Sequence, residues 1–190
     1  AVMCDKPVIY IYPTEEMGDT EVNVKLDLNG SLTTTYPKYS EQTGWNVVAS
    51  PDGTLKIKGN DREYYSLYWE GKLNDKIEFT EGNLITGEDT REFLENSLKI
   101  MGLTDKEAEE FIIYWLPKME CNPYNFIQFH TWDYTDKAKL TISPAPDTLI
   151  RIYMTFRAYD KPMSYKMQDI NSLAATRQGY TVVEWGGSMR

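Results

Sequence analysis

A chain of 190 residues with 41% hydrophobic residues is long enough to close one core without a covalent staple and short for two independent ones. Its 29 acidic residues against 20 basic ones leave a net charge of -9, which repels a phosphate backbone and excludes nucleic acid as a partner. The longest apolar runs, residues 8–12 and 111–116, fall far below the roughly 18 to 20 residues that span a bilayer, which excludes a transmembrane helix.

The β-branched and aromatic run Val8, Ile9, Tyr10, Ile11, Tyr12 between Pro7 and Pro13 predicts a first strand. Val22, Val24, Leu26 and Leu28 alternate with polar residues, and Asn29-Gly30 then predicts a tight hairpin whose second strand carries Leu32, Thr34 and Tyr36. A second hairpin is expected where Trp45, Val47 and Ala49 lead through Ser50-Pro51-Asp52-Gly53 to Leu55 and Ile57. Tyr65, Leu67 and Trp69 alternate with Ser66, Tyr68 and Glu70 in a further strand ending at Gly71.

After Gly87 the period lengthens. Phe93, Leu94, Leu98 and Met101 predict a helix capped by Gly102. Thr104 and Glu107 have the spacing of a capping box, opening a second helix with Ala108, Phe111, Ile112, Trp115 and Leu116 facing inward until Pro117. Strand chemistry returns over residues 126–130, 139–142, 148–159 and 180–185, and residues 161–178 read as a long surface loop. These elements predict an α+β fold: an antiparallel β-sandwich or strongly curved sheet with one helical hairpin, about 88–118, packed on it, as a single domain over 1–190. The chain starts at Ala1, without an initiator Met, and is expected to derive from a longer precursor.

Cys4 and Cys121 are too far apart in sequence for a metal knuckle or a redox dithiol. Two readings stand: a disulfide, which points to an exported protein, or two unbridged thiols. His130 is the only histidine; one imidazole does not build the usual multi-histidine zinc site, and with no Gly-x-Ser-x-Gly elbow it reads as a surface or half-buried side chain. No metal or cofactor is predicted. Glu70 in Tyr68-Trp69-Glu70-Gly71 and Glu184 in Glu184-Trp185-Gly186 share a setting, an acid beside Trp near a strand end. Such a pair suits glycoside hydrolysis if both acids face one cleft, the neighbouring Trp raising one pKa and stacking on the sugar. The alternative is that these glutamates pair with Arg151 or Arg157. With fourteen tyrosines and five tryptophans, the chain also offers aromatic platforms, for which Tyr68, Trp69, Trp132 and Trp185 are the candidates.

Residues 4–13, 68–71, 111–117, 122–125 and 182–187 together resemble an uncharacterised family of bacterial, and more distantly fungal, proteins that opens with Lys-Pro-Val-Ile-Tyr-Leu-Tyr-Pro. Here Ile11 stands in place of the Leu. The resemblance implies a stable domain spanning nearly the whole chain, brings no activity, cofactor or catalytic residue with it, and leans towards the cell envelope or exterior. The function expected is a non-catalytic extracellular or envelope-associated module that binds carbohydrate or peptide; the alternative is a glycoside-type hydrolase using Glu70 and Glu184.

Overall fold

The computed structural model describes residues 2–190 apart from the side chains of Trp132 and Asp133. In chain order it holds β1 (Val2–Tyr12), β2 (Thr20–Leu28), β3 (Gly30–Tyr36), β4 (Trp45–Ala49), β5 (Leu55–Lys56), β6 (Glu63–Tyr64), β7 (Leu67–Leu73) and β8 (Asn83–Thr86). Then come α1 (Thr90–Ile100), α2 (Asp105–Trp115), β9 (Tyr124–His130), α3 (Trp132–Lys137), β10 (Ala138–Ser143), β11 (Thr148–Tyr159) and β12 (Thr181–Met189). The strands fall into two sheets, so the fold is α+β with a sheet sandwich.

The chain clusters into two compact units. One takes Ala1–Ile77, Thr131–Arg151 and Arg177–Gly186; the other takes Glu78–His130, Ile152–Thr176 and Gly187–Arg190.

In the first unit, one sheet has the order β3-β7-β1-β12-β11 and the other β10-β2-β4-β5-β6. The period-two patterns decide which side chains turn inward: Val22, Val24, Trp45, Val47 and Leu55 from one sheet and Ile9, Ile11, Leu67, Trp69 and Leu73 from the other are all buried. The hairpin expected at Ser50-Pro51-Asp52-Gly53 forms, with Gly53 at φ 91 donating to Ser50 O at 2.8 Å and β4 pairing with β5. The hairpin expected at Asn29-Gly30 does not. β2 pairs with β10 and β4, whereas β3 pairs with β7, so Asn29-Gly30 carries the chain from one sheet to the other. β7 also runs through Gly71 to Leu73. β1 begins earlier than expected, and its pairing with β7 shifts between Cys4 and Val8, where Lys6 takes a left-handed φ of 58°.

In the second unit, β8 and β11 flank β9 antiparallel. Both helical signals are realised. Gly102 at φ 91 ends α1 while Leu103 N donates back to Leu98 O at 3.0 Å, and Thr104 with Glu107 makes the reciprocal capping box of α2. Phe93 lies against Phe129 at 6.4 Å between centroids and Trp115 meets Phe156 edge-on at 6.0 Å, which seats the hairpin on one face of β9 and β11. Ala108 and Ile112, expected inward, are only half-buried.

Asp147 and Thr148 both donate to Tyr180 O, and further along Arg190 donates to Phe156 O, so β11 and β12 run parallel. A parallel pair cannot be closed by a tight turn, and this is why residues 161–178 form a long connection. Gln168 anchors it: its amide accepts from Phe129 N at 2.9 Å and donates to Phe129 O at 2.7 Å, occupying the ladder position beside β9 that β8 leaves off at Asn83.

Candidate functional site

Glu184 is completely buried in the first unit, and three side chains converge on it. Its Oε1 accepts from Tyr134 Oη at 2.7 Å and from Arg151 Nε at 3.0 Å, and its Oε2 accepts from Trp69 Nε1 at 3.1 Å. Arg151 Nη2 lies 2.9 Å from Oε1 but off the hydrogen-bonding angle, so this second contact is an ion pair. The guanidinium also sits 4.8 Å from the centre of the Tyr134 ring. Burial, reinforced by the carboxylate, lifts the Tyr134 phenol well above its ordinary value. Burial alone would pull the Arg151 guanidinium down, but the Glu184 charge outweighs it and the net shift is upward. Three hydrogen bonds and full burial fix this carboxylate inside the fold, an arrangement that suits a structural anion.

Glu70 does not join it. Trp69 is buried and Glu70 half-exposed, because successive side chains of β7 point to opposite faces of the sheet. The ring that reaches Glu184 therefore sends its neighbouring carboxylate away. The aromatic platforms meet a similar outcome: Trp69 and Trp185 are core side chains, and Trp185 Nε1 donates to Tyr10 Oη at 3.0 Å. A ring with no exposed face offers none to a sugar. Tyr68 is half-buried, and Trp132 lies outside the described residues.

Cys4 is buried in β1, Cys121 is exposed, and no disulfide joins them. This removes the bridge from the reasons for placing the protein outside the cell. Among the described residues no group of three or more His, Cys, Asp or Glu could hold a metal ion, and no helix is long and apolar enough to cross a membrane. His130, expected on a wet face, is 2% exposed, with Nε2 2.7 Å from Thr155 Oγ1.

Tyr180 is another buried phenol, and its hydroxyl meets no hydrogen-bond partner in the protein. Burial raises its pKa from 10.0 to about 12. A raised folded-state pKa means that the stability linked to this group is fully present below pH 10 and is lost as pH climbs from 10 towards 12. Tyr180→Phe is expected to leave the melting temperature unchanged or higher at neutral pH, and to shed less of it over that alkaline range than the wild type. Parallel melting curves of the two proteins check this.

The second unit carries a concave surface. Between the outer faces of α1 and α2 runs a groove of about 960 Å³. Leu103, Ala108, Ile112, Ile113, Leu116 and Pro117 supply its apolar surface. Arg91, Glu95 and Lys99 stand along α1, and Asp105, Lys106 and Glu109 along the start of α2. Ile113 is 67% exposed. Sequence reading passed over this groove, although Ile113 is the apolar residue of α2 that falls outside its inward-facing set.

The class this geometry defines is an α+β protein with a polar network sealed in one unit and an open helical groove in the other. In sequence, the chain is 44% identical over 66 residues to the uncharacterized protein in the bglA 3′ region of Butyrivibrio fibrisolvens, a match covering 35% of this chain and 65% of that protein. No protein-family model matches the chain, and no solved structure matches it.

Proposed function

We propose that this protein is a non-catalytic binding module and that the α1–α2 groove receives an amphipathic helical segment of a partner protein. The groove carries this reading. Its lining has no aromatic ring on which a sugar would stack, and its three basic and three acidic side chains cancel, so neither a polyanion nor a polycation is favoured. Charges of both signs rim it along its length: Arg91, which pairs with Glu120, and Glu95 towards the end of α2 that carries Ile112, Ile113, Leu116 and Pro117, and Lys99, Asp105, Lys106 and Glu109 at the other end, beside Leu103 and Ala108. Each wall has 11 residues, about 16 Å at 1.5 Å per residue, which accommodates three turns of a docked helix. A helix with an apolar stripe at i, i+3, i+4 and i+7 flanked by charges of both signs fits that layout.

A library of amphipathic peptides of this design, read by fluorescence anisotropy, tests the proposal. Binders are expected to weaken by about tenfold or more on Ile113→Glu, because burying a charge in an apolar contact costs more than the contact yields. Melting should be unaffected, since Ile113 is exposed. Peptides that bind equally to the variant, or a library without binders beside positive hits on a glycan array, would replace this reading with the carbohydrate one.

A further inference from the structure

The first unit carries a pocket of about 340 Å³ on the outer face of the sheet β10-β2-β4-β5-β6. The strand register builds it from two neighbouring rows. Ser143, Asn23 and Asn46 stand in line across β10, β2 and β4, and two residues further along those strands Glu21 stands opposite Val48. Val22 and Val47, between the rows, turn into the core and give the pocket only backbone, leaving Val48 as the apolar side chain of its lining. Lys58, just beyond β5, completes that lining.

The contacts these side chains make leave their outward functions unspent. Asn23 Nδ2 donates to Thr43 O at 2.7 Å, to Asn46 Oδ1 at 2.8 Å and to Trp45 O at 3.3 Å. These bonds use the Asn23 donor and the Asn46 acceptor, so Asn23 Oδ1 and Asn46 Nδ2 remain as an acceptor and a donor held in place. Lys56, opposite Val48, is taken up by Glu63 at 3.3 Å. The side chains of Glu21, Lys58 and Ser143 engage no partner among the described residues.

The arrangement is polarised. Its acceptors, Glu21 and Asn23 Oδ1, lie on β2, and its donors, Asn46 Nδ2 and Lys58, lie on β4 and past β5, one or two strand spacings of about 4.8 Å away. We propose that this pocket binds a small zwitterion of the α-amino acid class, its ammonium towards Glu21 and Asn23 and its carboxylate towards Asn46 and Lys58. A ligand with one charge satisfies one wall and leaves the charge of the other unmatched, whereas a zwitterion meets both. Ser143, beside Asn23, adds a hydroxyl that both gives and takes, and with Val48 alone supplying apolar surface the pocket favours a short polar side chain. Its volume lies at the lower end of the range for ligand pockets, as a molecule of this size requires.

The side-chain amide signals of Asn23 and Asn46 read occupancy directly by NMR. Glycine, serine and glutamine are titrated to about 100 mM, which covers weak millimolar dissociation constants, and a saturable shift is expected with at least one of them. The work is done at about pH 6, where the α-ammonium of an amino acid and of its amide is charged. The carboxamide and the N-acetyl derivative of the binder each lack one charge and should bind about tenfold more weakly. Lys58→Met and Glu21→Gln should each cost about tenfold in affinity and leave melting unchanged, because both side chains are exposed. Each variant should also lose one discrimination: Lys58→Met should bind the carboxamide as well as the parent, and Glu21→Gln the N-acetyl derivative as well as the parent. Ile113→Glu should leave the response intact, which separates this site from the groove. No saturable shift with any of the three amino acids, derivatives that bind as tightly as their parent, or full affinity retained in both variants overturns the proposal.

Discussion

Glu184→Ala is expected to cost about 3–5 kcal/mol, a loss on the order of 10 °C in melting temperature for a domain of this size. The substitution does more than remove one contact. Arg151, with 3% of its side chain exposed, keeps its charge and loses its counterion, while Trp69 Nε1 and Tyr134 Oη lose their acceptor. Replacing both charges, as in Glu184→Leu with Arg151→Met, should recover much of that loss, because a buried ion pair repays little beyond its own desolvation. Denaturant unfolding of the two single variants and the double variant gives the coupling directly. Additive losses would mean that the two charges do not depend on each other. A catalytic Glu184 predicts a different pattern, with folding intact and only an activity lost. The network predicts that folding itself suffers.

What the sequence made legible was local. The capping box at Thr104 and Glu107, the left-handed Gly102 and Gly53, and the alternation through β2, β4 and β7 depend on neighbours a few residues apart, and each appears where its pattern places it. What it hid was long-range. An acid beside a tryptophan reads the same on either face of a strand, and whether Glu184 is a reagent or a structural anion depends on Arg151, Tyr134 and Trp69, which lie 33, 50 and 115 residues away. The pairing of a glutamate with Arg151 was readable as an alternative; the convergence of three side chains on Glu184 was not.

The motif segments that suggested a family gain a physical reason from the same contacts. Residues 4–13, 68–71 and 182–187 fall in β1, β7 and β12, which are neighbours in the order β7-β1-β12. Their buried side chains meet as Trp69 with Glu184 on one face and Tyr10 with Trp185 on the other, while a Cβ on Gly186 would come within 3.0 Å of Pro7. Segments that look like a site in sequence are therefore the interior of one sheet. Of the segments that carry the resemblance, 111–117 is the one with a side chain left open to a partner, Ile113 in the α1–α2 groove.

Gly30→Ala should be among the most damaging single-methyl changes in the protein, at about 3 kcal/mol or more. As the turn residue of a β2–β3 hairpin, Gly30 would be needed for its left-handed backbone, and alanine would cost about 1–2 kcal/mol there. The structure gives it another task. Gly30 pairs with Leu73 at the start of β3, and an added Cβ would fall 1.8 Å from Lys72 O and 2.8 Å from Lys72 C. Backbone cannot swing aside as a flexible side chain can, so β3 must lift from β7 to admit the methyl group. Gly59 provides the control, with φ at +81° and nothing within 4 Å of an added Cβ, so Gly59→Ala should show the conformational cost alone. Denaturant unfolding of both variants, with amide exchange along β3, separates the two effects. Gly30→Ala is expected to lose more stability than Gly59→Ala and to lose exchange protection from Gly30 towards Leu32. Equal losses, with β3 still protected, would mean that the close approach to Lys72 does not hold this strand in place.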